Sequence, residues 1–151
     1  QEDGSPLLCI SKQQLTELQR RHPELVLDLG MRYGEPSIPE AMRRMRNANV
    51  RRLLVLPMYP QYASATTGSV FDAISKELQS WRWIPDFRFI TEYHLDAHYL
   101  EALANSIQST WASNGRGDIL LMSFHGIPEE CFLAGDPYFL SVPSNRARPC
   151  G

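Results

Sequence analysis

Arg51-Arg52-Leu53-Leu54-Val55-Leu56-Pro57 decides how the rest of the chain is read. Four apolar residues in succession, opened by charge and closed by proline, suit a strand covered on both faces. Such strands belong to parallel sheets flanked by helices. Helix signals stand on either side. Ser37 and Glu40 form a capping box, Pro39 fits a first helical turn, and Ile38, Ala41, Met42 and Met45 fall at helical spacing. Downstream, Thr67-Gly68-Ser69 opens a helix that turns Val70, Phe71, Ile74 and Leu78 inward.

The alternation extends in both directions. Ser11 and Gln14 make another capping-box pattern and predict a helix over 11–21, which His22-Pro23 stops. Leu25, Val26, Leu27 and Leu29 then suit a strand over 24–31, broken by Gly34-Glu35-Pro36. After a strand over 87–91, Asp96 caps a helix carrying Tyr99, Leu100, Leu103, Ala104, Ile107 and Trp111, and Asn114-Gly115 ends it. A last strand is predicted over 118–123, with Ile119-Leu120-Leu121-Met122 as its buried core. This order predicts an α/β fold: a doubly wound parallel sheet in a Rossmann-like three-layer arrangement.

Composition narrows the function classes. With 151 residues, 43% hydrophobic and 21% charged, the chain can bury a core and is neither fibrous nor disordered. A net charge of -2 gives no whole-protein attraction for nucleic acid, so no nucleic-acid partner is expected, and an anionic ligand must be met by local arginines. No apolar run reaches bilayer-spanning length, so no transmembrane segment is predicted. Cys9, Cys131 and Cys150 form no C-x-x-C pair and read as free thiols of a reducing cytoplasm. Gln1 stands where Met is usual, and Gly4-Ser5-Pro6 reads like a loop from mid-protein, which together predict a fragment.

In sheets of this kind ligands sit beyond the carboxyl ends of the strands. That rule selects Arg32-Tyr33-Gly34, Met58 to Thr67, and Phe124 to Pro128. In the third loop His125 follows a predicted buried strand, and Gly126 lets the backbone turn so that the imidazole faces a cleft. Neutral imidazole there is a metal ligand or proton acceptor. The competing reading is a hydrogen-bonded structural histidine. In the second loop Tyr59 and Tyr62, stiffened by Pro57 and Pro60, present aromatic surface to a flat apolar ligand. The alternative is an ordinary connection whose tyrosines cover the core.

Five segments resemble one family in order: Gly4-Ser5-Pro6-Leu7, Met31-Arg32-Tyr33-Gly34, Tyr59-Pro60-Gln61-Tyr62 with Thr66-Thr67-Gly68-Ser69, Ser123-Phe124-His125-Gly126-Ile127-Pro128, and Gly135-Asp136-Pro137-Tyr138. They are similar to ferrochelatases of bacterial type, from about Gly4 to Tyr138. The resemblance implies insertion of Fe²⁺ into protoporphyrin IX, in haem biosynthesis, between two similar α/β domains of chelatase type. It implies that His125 takes pyrrole protons and binds the incoming iron, that Tyr59 lines the porphyrin pocket, and that Arg32 and Tyr33 stand at its rim. Ferrous iron and porphyrin are then the partners, with no organic cofactor. Ser64 stands where some relatives carry a cluster cysteine, so no [2Fe–2S] cluster is expected. The resemblance further implies that residues 1–138 are a first domain lacking its opening segment, with the second domain absent. Phe139 to Gly151 read as an aperiodic, non-native or disordered tail. Two other readings remain: a chelatase for another tetrapyrrole or metal, and a non-catalytic porphyrin- or haem-binding remnant.

Other features read blandly. His94 and His98 are four apart and could share a helix face as a metal pair, but Asp96 as a cap puts His94 outside the helix and predicts a surface pair instead. Arg43, Arg44, Arg46, Arg51 and Arg52 read as a solvated helix face leading to a strand, with a phosphate or membrane-surface contact as the lesser alternative. Cys131 reads as buried packing.

Overall fold

A computed structural model describes residues 5–141. The chain divides into two compact units. One holds the residues up to Val55 together with Ser69–Arg88, and the other holds Leu56–Gly68 and the residues from Phe89 onward.

The first unit opens with α1, Pro6–Arg21, which begins five residues before the predicted start because Ser5 takes the N-cap position and Pro6 sits in the first turn. Proline has the helical φ already and needs no partner there. No strand forms over 24–31. That stretch is extended and makes only a bridge from Met31 to Ser37, closed by Met31 N–H to Pro36 O at 2.7 Å. Helix α2, Ile38–Asn47, starts as expected: the Glu40 carboxylate accepts the Ser37 N–H at 3.3 Å.

Strand β1, Arg52–Val55, leads through α3, Ser69–Leu78, to β2, Asp86–Phe89. Asp86 N–H donates to Arg51 O at 2.8 Å, joining the amino ends of the two strands, so the pair runs parallel with α3 as its crossover. Among the described residues the sheet has these two strands. Helices α2 and α3 pack on each other, and Ile38, Met42, Leu53, Val70, Ile74 and Trp81 form the core. Leu54 stays exposed, so β1 is covered on one face in the described chain rather than on both. Phe71, expected inward, is likewise exposed.

The second unit carries α4, Ala97–Asn114, then α5, Glu129–Leu133, and α6, Tyr138–Ser141. Asp96 caps α4 as predicted, its Oδ1 accepting the N–H groups of His98 at 2.9 Å and Tyr99 at 3.2 Å. Gly115 ends it at φ 83°, donating to Trp111 O at 2.8 Å. The predicted strand over 118–123 does not form, and Ile119 and Leu121 are 84% and 86% exposed. A strand exists only against a neighbour, and no described segment pairs with this one. Helix α6 extends regular structure past Tyr138, while residues 142–151 of the expected tail, Cys150 included, lie outside the described residues.

Candidate functional site

The loop that follows β1 is built by backbone hydrogen bonds that converge on two carbonyls. Pro60 O accepts the N–H groups of Tyr93 at 2.9 Å and His94 at 3.0 Å. Ala63 O accepts Thr66 N–H and Gly68 N–H, both at 3.1 Å, and the five-residue span of the second bond makes Ser64–Gly68 a π-helical turn. Such turns insert a residue into helical geometry and recur at functional sites. Thr67 is fully buried in it, and its hydroxyl has no hydrogen-bond partner among the described residues.

A contact distant in sequence ties this turn down. Asp136, 8% exposed, accepts Ser64 N–H at 2.7 Å and Tyr138 N–H at 2.9 Å. Burial pushes the Asp136 carboxyl up, but the Ser64 N–H, the Ser64 hydroxyl and the Tyr138 N–H outweigh it and hold the group below its ordinary value. Gly135 reaches this geometry at φ 98°, a conformation that favours glycine. An open hollow of about 400 Å³ lies between the turn and α5, lined by Tyr62, Ser64, Cys131 and Asp136 among others. Cys131 is half-buried at its edge and unpaired, as is Cys9. The sequence offered Gly-Asp-Pro-Tyr as a motif but not its role as the clamp on the loop. A carboxylate between glycine and proline, two residues before an N–H it accepts, was the available signal.

Of the site residues expected from sequence, Arg32 and Tyr33 come together in the first unit. The Arg32 guanidinium lies over the Tyr33 ring at 4.7 Å, and its Nε donates to Ser69 O at 3.0 Å and to the Ser69 hydroxyl at 3.3 Å. Tyr59 and His125 belong to the second unit, each exposed on a loop. A side chain at Gly126 would meet no protein atom within 4 Å, so this glycine answers to no close contact of the chain with itself.

His94 and His98 correct the expected surface pair. The His98 side chain is 93% exposed, whereas that of His94 is 13% exposed because Pro60 O draws the segment inward. His94 Nδ1 lies 3.6 Å from a Glu92 carboxylate oxygen, beyond hydrogen-bond range, and has no hydrogen-bond partner among the described residues. Among those residues no three His, Cys, Asp or Glu side chains gather as a metal cage, and no helix is long and apolar enough to cross a membrane.

The fold is that of an α/β protein, with helices packed beside a parallel pair of strands. A sequence profile described as ferrochelatase matches residues 1–146, and the chain belongs to the ferrochelatase family. It is 53% identical over 142 residues to a ferrochelatase of Thioalkalivibrio sulfidiphilus (strain HL-EbGR7), covering 91% of this chain and 38% of that protein. It is 53% identical over 141 residues to a ferrochelatase of Hydrogenovibrio crunogenus (strain DSM 25203 / XCL-2), covering 90% and 37% respectively. Ferrochelatase 2 of Shewanella oneidensis shares 43% over 142 residues, covering 91% and 43%. The chain thus spans about two-fifths of the length of these curated relatives.

Proposed function

We propose that the protein carrying this chain inserts Fe²⁺ into protoporphyrin IX to form protohaem, with His125 as proton acceptor and metal-side ligand. The observation that carries the reading is the placing of His125 within the family match: an exposed imidazole after an apolar segment, beside a glycine with open space where a side chain would project. The chemistry requires such a group. Two pyrrole N–H protons leave the macrocycle as Fe²⁺ enters, and a base on one face lowers the barrier to their departure. Iron and porphyrin are both substrates, and the metal changes no oxidation state.

Arg32 supports the reading from the porphyrin's periphery. Its Nε is engaged by Ser69, which leaves the Nη nitrogens to meet a propionate in the charge-assisted geometry that arginine favours. Tyr59 supplies aromatic surface for the ring. The unpaired thiols of Cys9 and Cys131 suit a reducing cytoplasm.

The test is anaerobic incubation of the natural gene product with protoporphyrin IX and ferrous iron, following the porphyrin absorption as metal enters. His125→Ala should lower insertion by roughly 10² or more while porphyrin still binds. Undiminished insertion by that variant would remove His125 from the mechanism. Porphyrin binding without insertion in the unaltered protein would favour the non-catalytic reading.

A further inference from the structure

Asparagine followed by glycine is the pair in which a backbone amide most readily attacks the preceding side chain. Of the chain's five asparagines, four precede Ala48, Val50, Ser106 and Arg146, whose side chains crowd that approach, and Asn114 alone precedes glycine. The pair closes α4: Asn114 is the last helical residue and Gly115 the cap, at φ 83°. A Cβ at Gly115 would meet no protein atom within 4 Å, so the cap stands in open space.

The helix both presents and protects the pair. Side chains on a helix lean toward its amino end, away from the next backbone nitrogen. Asn114 follows this rule, its Nδ2 donating to Thr110 O at 3.1 Å. Gly115 N–H is engaged too, donating to Trp111 O at 2.8 Å. Little else secures the turn: α4 has no buried residue, and 112–118 are exposed. Hydrogen bonds at a solvated helix end with so little packing open together when the last turn frays. The Arg116 guanidinium, 5.0 Å over the Trp111 ring, keeps a cation beside the same turn.

We propose that Asn114 is a site of spontaneous covalent modification, opened by fraying of the last turn of α4 and needing water alone as co-reactant. In the frayed turn the Gly115 nitrogen, its proton lost to solvent base, attacks Asn114 Cγ. A bond from that nitrogen to Cγ forms, the Cγ–Nδ2 bond breaks, and Nδ2 leaves as ammonia with the proton returned to it. A cyclic imide remains. Water then opens the ring at one carbonyl to give aspartate or at the other to give isoaspartate, and nothing is oxidised or reduced. The Arg116 cation beside the turn favours the deprotonated nitrogen. Either product sets a carboxylate among the last carbonyls of α4, the negative end of the helix. Isoaspartate also adds a methylene to the backbone between α4 and the segment that carries His125.

Ageing the purified chain in buffer tests this, with peptide mapping by mass spectrometry and methylation by an isoaspartyl methyltransferase as the readouts. Conversion should concentrate at Asn114, outrun that at the other asparagines, and quicken as pH is raised. In the guanidinium-unfolded chain it should run roughly tenfold faster or more, because the protecting turn is gone. Gly115→Ala should slow it in the unfolded chain, where no difference of fold intervenes, and Asn114→Gln should abolish it. Asn114→Asp, which carries the product's charge, should melt about 1–4 °C below the unaltered chain. No conversion at Asn114, equal rates in folded and unfolded chain, faster conversion at another asparagine, an undiminished rate in unfolded Gly115→Ala, or an unchanged melt of Asn114→Asp would each overturn the proposal.

Discussion

The carboxylate of Asp136 accepts the backbone N–H of Ser64 at 2.7 Å across 72 positions of sequence, fastening the π-helical turn to the segment between α5 and α6. Because the carboxyl sits below its ordinary value, Asp136→Asn should destabilise the protein by about 1–3 kcal/mol at neutral pH. The pH dependence has a definite sign. A depressed folded-state value means the stabilisation is full above the unfolded value of about 3.8 and is lost as pH falls through the folded value. Urea unfolding from pH 7 down to pH 3 should therefore show a steeper loss in the unaltered protein than in the variant.

Gly30 predicts a packing cost rather than a conformational one. A Cβ there would stand 3.0 Å from the Ile38 Cα and 3.2 Å from the Ala41 Cβ, at the first turns of α2. Backbone cannot yield as a flexible side chain does. Gly30→Ala should cost about 1–3 kcal/mol, read as a lowered denaturant midpoint with an unchanged slope.

The α4 cap should be separable from everything else. Asp96→Ala removes the acceptor for His98 N–H and Tyr99 N–H and should cost about 1 kcal/mol, whereas Asp96→Asn should keep most of it. Paired thermal melts of the two variants distinguish loss of the cap from loss of charge.

These caps were legible in sequence because their information is local. Ser37 with Glu40, Asp96 before α4, and Gly115 after it each act within a few residues, and the structure holds all three. Strands are not local. The runs at 24–31 and 118–123 have strand composition, yet composition supplies no neighbour, and neither run forms a strand in the described chain. The same limit applies to the candidate site. His125, Tyr59, Arg32 and Tyr33 stood out by residue type and position, but the Asp136–Ser64 fastening and the half-buried His94 depend on contacts that no short window reveals.

Arg32 gives a functional prediction that goes with its geometry. Lysine would keep the charge but lose the Nε bonds to Ser69 and the planar contact with Tyr33. In the gene product, Arg32→Lys should raise KM for a dicarboxylic porphyrin roughly tenfold, about 1.4 kcal/mol, with little change in kcat. A fall in kcat with KM unaltered would place Arg32 near the reacting centre instead of the rim.

Ile119, Leu120, Leu121 and Met122 form an uninterrupted apolar ribbon open to water and unpaired among the described residues. Backbone N–H and C=O groups beside such side chains are a template for another copy of the same ribbon. Produced as it stands, the chain should therefore be poorly soluble and lose monomer to self-association as its concentration rises. A lysine in the ribbon should relieve this more than any change at its folded helices.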